Sequence, residues 1–242
     1  MKSSFPCKTP LAAAISAALA STLAFSQNST PDDDQLEEIV VVSKATTYAN
    51  NAITDSMKLQ HSSITSINNF IDNLPGVSVH EGDAFGFDDW STAITVRGFQ
   101  TNLAEQQVGS TIDGLPNGNS NYGGGAKANR YIDTANLQTI EVSQGTADIS
   151  SRSLEALGGT LNYVTSDPTL DQRVRLEYVS GQYDAQRFYA RYDSGLIGSS
   201  TRFYVSASHQ EATDWMEGSA QNERDHLAAK LVTGSDQLRF TA

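Results

Sequence analysis

Cysteine is almost missing from this sequence: Cys7 is the only one in 242 residues. It lies in an apolar N-terminal segment, so a chain cut after that segment has no thiol. Disulfides, zinc–cysteine centres and cysteine nucleophiles are then excluded. Positive charge is also short, with 16 Lys and Arg against 28 Asp and Glu, for a net charge of −12. So acidic a chain lacks the basic footprint that nucleic acid requires. The four histidines, His61, His80, His209 and His226, are scattered without metal-ligand spacing. There is no nucleophile elbow for a serine hydrolase. Gly123-Gly124-Gly125 lacks the Lys-Ser/Thr of a phosphate-binding loop, and Asp88-Asp89 lacks EF-hand spacing. The expectation is a protein without catalytic residues, resident metal or cofactor.

Long apolar runs are scarce too. The one present, residues 11–25 (LAAAISAALASTLAF), follows Lys2 and Lys8 and ends in Ala24-Phe25-Ser26. This pattern predicts a secretory signal peptide over residues 1–26. The alternative, a membrane anchor, is disfavoured because the run is short and rich in Ala and Ser. Removing it takes the net charge from −12 to −14.

Residues 27–57 are polar and acidic, with Asp32-Asp33-Asp34 and Glu37-Glu38, and are expected to be flexible. One β-branched island, Ile39-Val40-Val41-Val42, has strand propensity but no local hairpin partner. It suits either an edge strand of the next domain or capture by another protein's sheet edge. A globular α+β unit is expected over residues 58–168. Within it, residues 62–74 carry Ile64, Ile67, Phe70, Ile71 and Leu74 at helical spacing before Pro75-Gly76. Short strands are expected at 77–79, 93–96, 110–112, 139–142 and 160–164, separated by loops long enough to suggest binding.

From Val174 onward the period is two: Val174, Leu176 and Tyr178, then Phe188, Ala190 and Tyr192, then Phe203, Val205 and Ala207, then Leu227, Ala229 and Leu231 alternate with polar residues. Runs of about ten residues with apolar residues on one face fit tilted strands of an outer-membrane barrel. A soluble β-sandwich also alternates. Short turns at 195–200 and 234–237 around a longer connection at 212–222 favour the barrel. The chain stops within a fifth strand, and a barrel left open in lipid has unpaired edges. The expected fold class is thus an α+β plug domain followed by the truncated start of a transmembrane antiparallel β-barrel over 169–242, a fragment of a longer protein.

In order, these features resemble the start of a TonB-dependent outer-membrane receptor. Glu38-Ile39-Val40-Val41-Val42-Ser43 resembles the TonB box. Leu74-Pro75-Gly76-Val77-Ser78-Val79, Ile94-Thr95-Val96-Arg97-Gly98-Phe99 and Ile112-Asp113-Gly114-Leu115-Pro116 resemble successive plug motifs. Ile140-Glu141-Val142, Gly145 and Gly158-Gly159-Thr160-Leu161-Asn162-Tyr163-Val164-Thr165 complete the set. The resemblance implies a TonB partner with its inner-membrane energising complex, outer-membrane lipid, and a scarce small-molecule ligand, with an iron–siderophore complex the leading class. Carbohydrate and cobalamin are alternatives. It implies that Arg97 locks plug to barrel, against the bland reading of a solvated arginine. Many members have Arg-Gly-Pro where this chain has Gln144-Gly145-Thr146, so a second plug arginine is missing, and Arg152 is a candidate substitute. Two loops are implied to face the ligand: residues 80–92, with His80, Glu81, Phe85, Phe87 and Trp90, and residues 117–131, with Tyr122, Lys127, Arg130 and Tyr131. Solvated loops packed in a pore are the bland alternative for any single residue. A passive porin would need no plug, and a surface adhesin would need no box.

Overall fold

The structure, a computed structural model, describes residues 51–88, 90–102, 104–117, 128–145, 148–153, 155–213, 221–235 and 238–241. The box at 38–43, Tyr122 and Lys127 therefore lie outside the described residues. No described helix is long and apolar enough to cross a membrane.

The N-terminal unit holds two small sheets. In chain order its elements are β1 (Asn51–Ala52), α1 (Asp55–Lys58), a 3-10 turn (Ile67–Phe70), β2 (Val77–His80), β3 (Ala93–Val96), β4 (Phe99–Thr101), β5 (Gly109–Ile112), β6 (Leu115–Pro116), α2 (Ala128–Tyr131), a second 3-10 turn (Thr134–Asn136), β7 (Leu137–Gln144) and β8 (Gly159–Thr165). One sheet has the order β1-β7-β8-β5-β6 and is mixed, because β5 runs parallel to β8. The other is the meander β2-β3-β4. Ile67, Phe70, Ile71, Ile94, Val96, Ile140, Val142, Leu161 and Tyr163 form the core between them.

The expected helix at 62–74 is replaced by the four-residue 3-10 turn and flanking turns. Its hydroxyls compete for the backbone. Thr65 Oγ1 donates to Ser62 O at 2.7 Å, and Ser66 Oγ accepts from Asn68 N at 3.3 Å. The apolar face is nevertheless buried as the spacing required: Ile64, Ile67, Phe70, Ile71 and Leu74 are all in the interior. Ordered structure also begins ahead of residue 58. Asn51 and Ala52 pair with Val142 and Glu141, Ile53 is buried, and Thr54 caps α1.

The turns explain two of the motifs. Arg97-Gly98 has φ of 50° and 89°, and Asp113-Gly114 has 48° and 79°. Positive φ at both central residues is the two-residue hairpin turn that matches strand twist, with glycine at the second position. Each dipeptide closes a tight hairpin, β3–β4 and β5–β6.

A second unit of sheet follows as an antiparallel meander: β9 (Gln172–Ser180), β10 (Gln186–Ser194), β11 (Arg202–Thr213), β12 (Gln221–Ser235) and β13 (Leu238–Thr241). The connections at 195–201 and 236–237 lie at one end of these strands. Those at 181–185 and 214–220 lie at the other, so the first connection at that end is itself only five residues. Leu170, before β9, accepts from Leu196 N at 2.8 Å, which puts the link from the first unit at the 195–201 end.

Candidate functional site: a charged wall and the unit seated on it

Strand alternation here inverts ordinary burial. On β10, Arg187, Tyr189, Arg191 and Asp193 are buried, while Phe188 and Tyr192 between them are exposed. Arg187 is 1% exposed and Leu227, on the other face, 82%. Val174, Leu176, Tyr178 and Val205 share the exposed apolar face. A sheet that hides charge and shows hydrocarbon is stable only where the shown face meets an apolar solvent and the hidden face meets polar partners.

The polar partners come from the N-terminal unit and from neighbouring residues of the wall. Arg187 Nη2 donates to Asp133 Oδ1 at 2.5 Å and its Nη1 to Glu177 Oε1 at 3.0 Å. Ser208 Oγ donates to Asp133 Oδ2 at 2.5 Å, and His226 Nδ1 lies 3.6 Å from that oxygen. Burial alone would raise the Asp133 pKa. The His226 ring, the Arg187 charge, the Ser208 hydroxyl and the Ala135 amide outweigh it and hold the carboxyl at about 2. Asn136 Oδ1 accepts from Tyr189 Oη at 2.7 Å, while its Nδ2 donates to Ser206 Oγ at 2.8 Å. Arg191 grips Asp193 with two bonds at 2.9 and 2.7 Å and donates onward to Ser166 Oγ at 2.6 Å and Asp167 O at 3.0 Å. Lys230 Nζ donates to Thr165 O at 3.1 Å and lies 3.2 Å from Asp167 Oδ1.

The motifs of the N-terminal unit converge at one corner. Gln144 Nε2 donates to Pro75 O at 3.0 Å, and Arg97 N donates to Gly76 O at 2.8 Å. A methyl group on Gly145 would come within 3.0 Å of Arg97 Nη1, and one on Gly158 within 2.2 Å of Phe99 Cβ. Arg97 itself is exposed and forms no ion pair among the described residues. Arg152 is likewise exposed.

The implied ligand loops divide into buried and open residues. Phe85 and Phe87 pack with Ile64, Val179, Ala185 and Ala212, at the 181–185 end of the wall. The Arg224 guanidinium lies 5.0 Å from the Phe87 ring centre and bonds the Gly86 carbonyl. Glu81 turns inward. Its Oε1 accepts from Asn68 Nδ2 at 3.2 Å, and its Oε2 is buried without a partner among the described residues. Burial, reinforced by Asp83, raises its pKa against the nearby Ser66 hydroxyl, the Asn68 hydrogen bond and the Arg224 charge. Asn68 Oδ1 accepts from Tyr163 Oη at 2.9 Å, and burial pushes that phenol far above its ordinary value. His80, Trp90, Arg130 and Tyr131 remain exposed. The Arg130 carbonyl meets His226 Nε2 at 3.2 Å.

In the sequence, Arg187, Tyr189, Arg191 and Asp193 are the polar residues that alternate with Phe188, Ala190 and Tyr192, and Asp133 and Asn136 belong to no motif. The signal that was available is two cations two residues apart on one strand face, a pair that burial obliges to find acceptors.

Residues 42–160 match the family described as the TonB-dependent receptor plug domain. That segment is a TonB-dependent receptor plug. Solved structures agree on the fold. The FpvAI–pyocin S2 complex shares 20% identity with a TM-score of 0.59, covering 79% of this chain and 23% of that one. The ferric-catecholate import receptor Fiu from E. coli K12, in its open form, shares 20% with 0.56, covering 77% and 24%. The pyoverdine outer membrane receptor FpvA from Pseudomonas aeruginosa PAO1 shares 18% with 0.54, covering 76% and 25%. The chain thus spans about a quarter of the length of these structures. No curated protein matches the sequence. The architecture is a plug with a mixed sheet, followed by antiparallel strands.

Proposed function

We propose that the plug and its wall belong to an outer-membrane receptor that imports a scarce ligand with energy delivered through TonB. The observation that supports this most is the inverted wall: charge buried against the plug, hydrocarbon outside. An adhesin needs neither a plug seated on such a wall nor a capturable strand at 38–43. No covalent chemistry is assigned to the chain.

An iron–siderophore complex is the proposed ligand class, supported by the ferric-catecholate and pyoverdine receptors whose fold the chain shares. Carbohydrate and cobalamin are the other classes. His80, Trp90, Arg130 and Tyr131 are proposed to face the ligand, and Tyr122 and Lys127 join them by their place in the second loop. Phe85, Phe87 and Glu81 hold the first loop in shape. Residues 38–43 are the proposed TonB contact, through strand addition to a sheet edge of TonB. Arg97 is kept as a lock toward later barrel strands.

The test is uptake of radiolabelled iron chelates by iron-limited cells that produce or lack the full-length protein. Uptake that depends on the protein, and is not competed by cobalamin or sugars, is the expected result. Equal iron uptake in both strains would remove the chelate assignment.

A further inference from the structure

One short plug segment makes a dense set of polar contacts with the wall. Asp133 and Asn136 together reach Arg187 and Tyr189 on β10, Ser206 and Ser208 on β11, and His226 on β12. Both oxygens of the Asp133 carboxylate are committed to strands: Oδ1 to Arg187, Oδ2 to Ser208 with His226 beside it. The ionisable side chains facing the cluster are Arg175 and Glu177 from β9, Arg187, Tyr189 and Arg191 from β10 and His226 from β12. Asp133 and Arg187 are both buried, so separating them away from water leaves Asp133 without its guanidinium and Arg187 with Glu177 as its one carboxylate partner among the described residues. The segment thus meets three strands at once, so displacing it breaks all of these contacts. Arg97, by contrast, meets no carboxylate among the described residues.

We infer that Asp133 is the latch that holds the plug against the first barrel strands, with Asn136 as its second point of attachment, and that plug displacement begins when the Asp133–Arg187 pair breaks. The inference rests on the transport reading, and it makes Asp133 a positioning residue.

The experiment is ion current through the full-length protein in planar lipid bilayers, which needs neither TonB nor a substrate. Asp133→Asn is expected to raise the conducting fraction at least about tenfold, since breaking one side of a buried pair is strongly unfavourable. Arg187→Gln is expected to do the same. The double variant should fall back toward the unchanged protein, because neither member of the pair is then left facing a missing partner. Asp55→Asn, at an exposed ion pair within the plug, is expected to leave the current unchanged. Heat-modifiable migration on gels identifies correctly formed barrels. If Asp133→Asn fails to assemble, Asn136→Ala and Ser208→Ala, which keep every charge, should raise the current about threefold. Formed barrels of Asp133→Asn, or of the two alanine variants, with unchanged current would overturn the latch. So would two charge variants whose effects simply add. Loss of the transport reading would show instead in uptake, with these currents unaffected.

Discussion

Glu81 shows how much a single residue's role depends on partners distant in the chain. Its place in the first loop implies a ligand contact through the family resemblance, but the side chain runs down to Asn68, and through it to Tyr163. Phe85 and Phe87 likewise pack against Ala185 and Ala212, about a hundred positions away, which no local pattern announces. Because the Glu81 pKa is raised, the folded state holds its proton more tightly than the unfolded chain does. Stability should therefore fall as pH rises through the window above 4.5, the ordinary value. Glu81→Gln removes the charge and should flatten that slope, raising the melting temperature at neutral pH; a variant that melts lower than the unchanged protein across the range contradicts this. Asp133 has the opposite sign. Its contribution is present above 3.8 and is lost as pH falls through about 2, an effect of about 2 kcal/mol. Acid titration of the melting temperature should accordingly be shallower below pH ~4 in Asp133→Asn.

At the level of elements, periodicity identified which face is buried better than it identified the kind of turn. The apolar positions of residues 62–74 all reach the core, yet the backbone is a 3-10 turn because Ser62, Thr65 and Ser66 satisfy it locally. The five strands expected in the plug are all present, 93–96 with the expected bounds and the other four longer by one to four residues, and the Arg-Gly and Asp-Gly dipeptides close the hairpins. β1 was not foreseen, since two residues carry no period and only pairing with β7 defines them. The 3-10 turn has a second duty, because Asn68 joins it to both β8 and the first loop. Asn68→Ala leaves the Tyr163 hydroxyl and the Glu81 carboxyl without this partner and should cost about 2–3 kcal/mol. Calorimetry of the plug transition in the full-length protein would show it, and an unchanged transition would mean the Tyr163–Asn68–Glu81 chain contributes nothing.

For the whole molecule, alternation along the strands sorts the wall's two faces correctly, while the polar face's partners are set by the fold. Arg187 and Arg191 could be read as one side of a strand, but their acceptors lie in the plug at 133–136 and 166–167. The outer face makes its own prediction. Leu176 lies opposite Ala190 among exposed apolar residues. Leu176→Arg should destabilise the membrane-inserted protein by about 2–4 kcal/mol if that face meets lipid near mid-depth. The loss would appear as lower heat resistance of the folded form on gels. The same change at Gln182, in the turn at 181–185, should have little effect.

Energy coupling is the claim on which the functional account depends, and deletion of Glu38–Ser43 tests it most directly. Ligand uptake would be measured in cells carrying the deleted full-length protein, with its outer-membrane level checked alongside. The account predicts uptake reduced to that of cells lacking the protein, at an unchanged amount of protein in the membrane. Uptake that persists at the normal rate would contradict it.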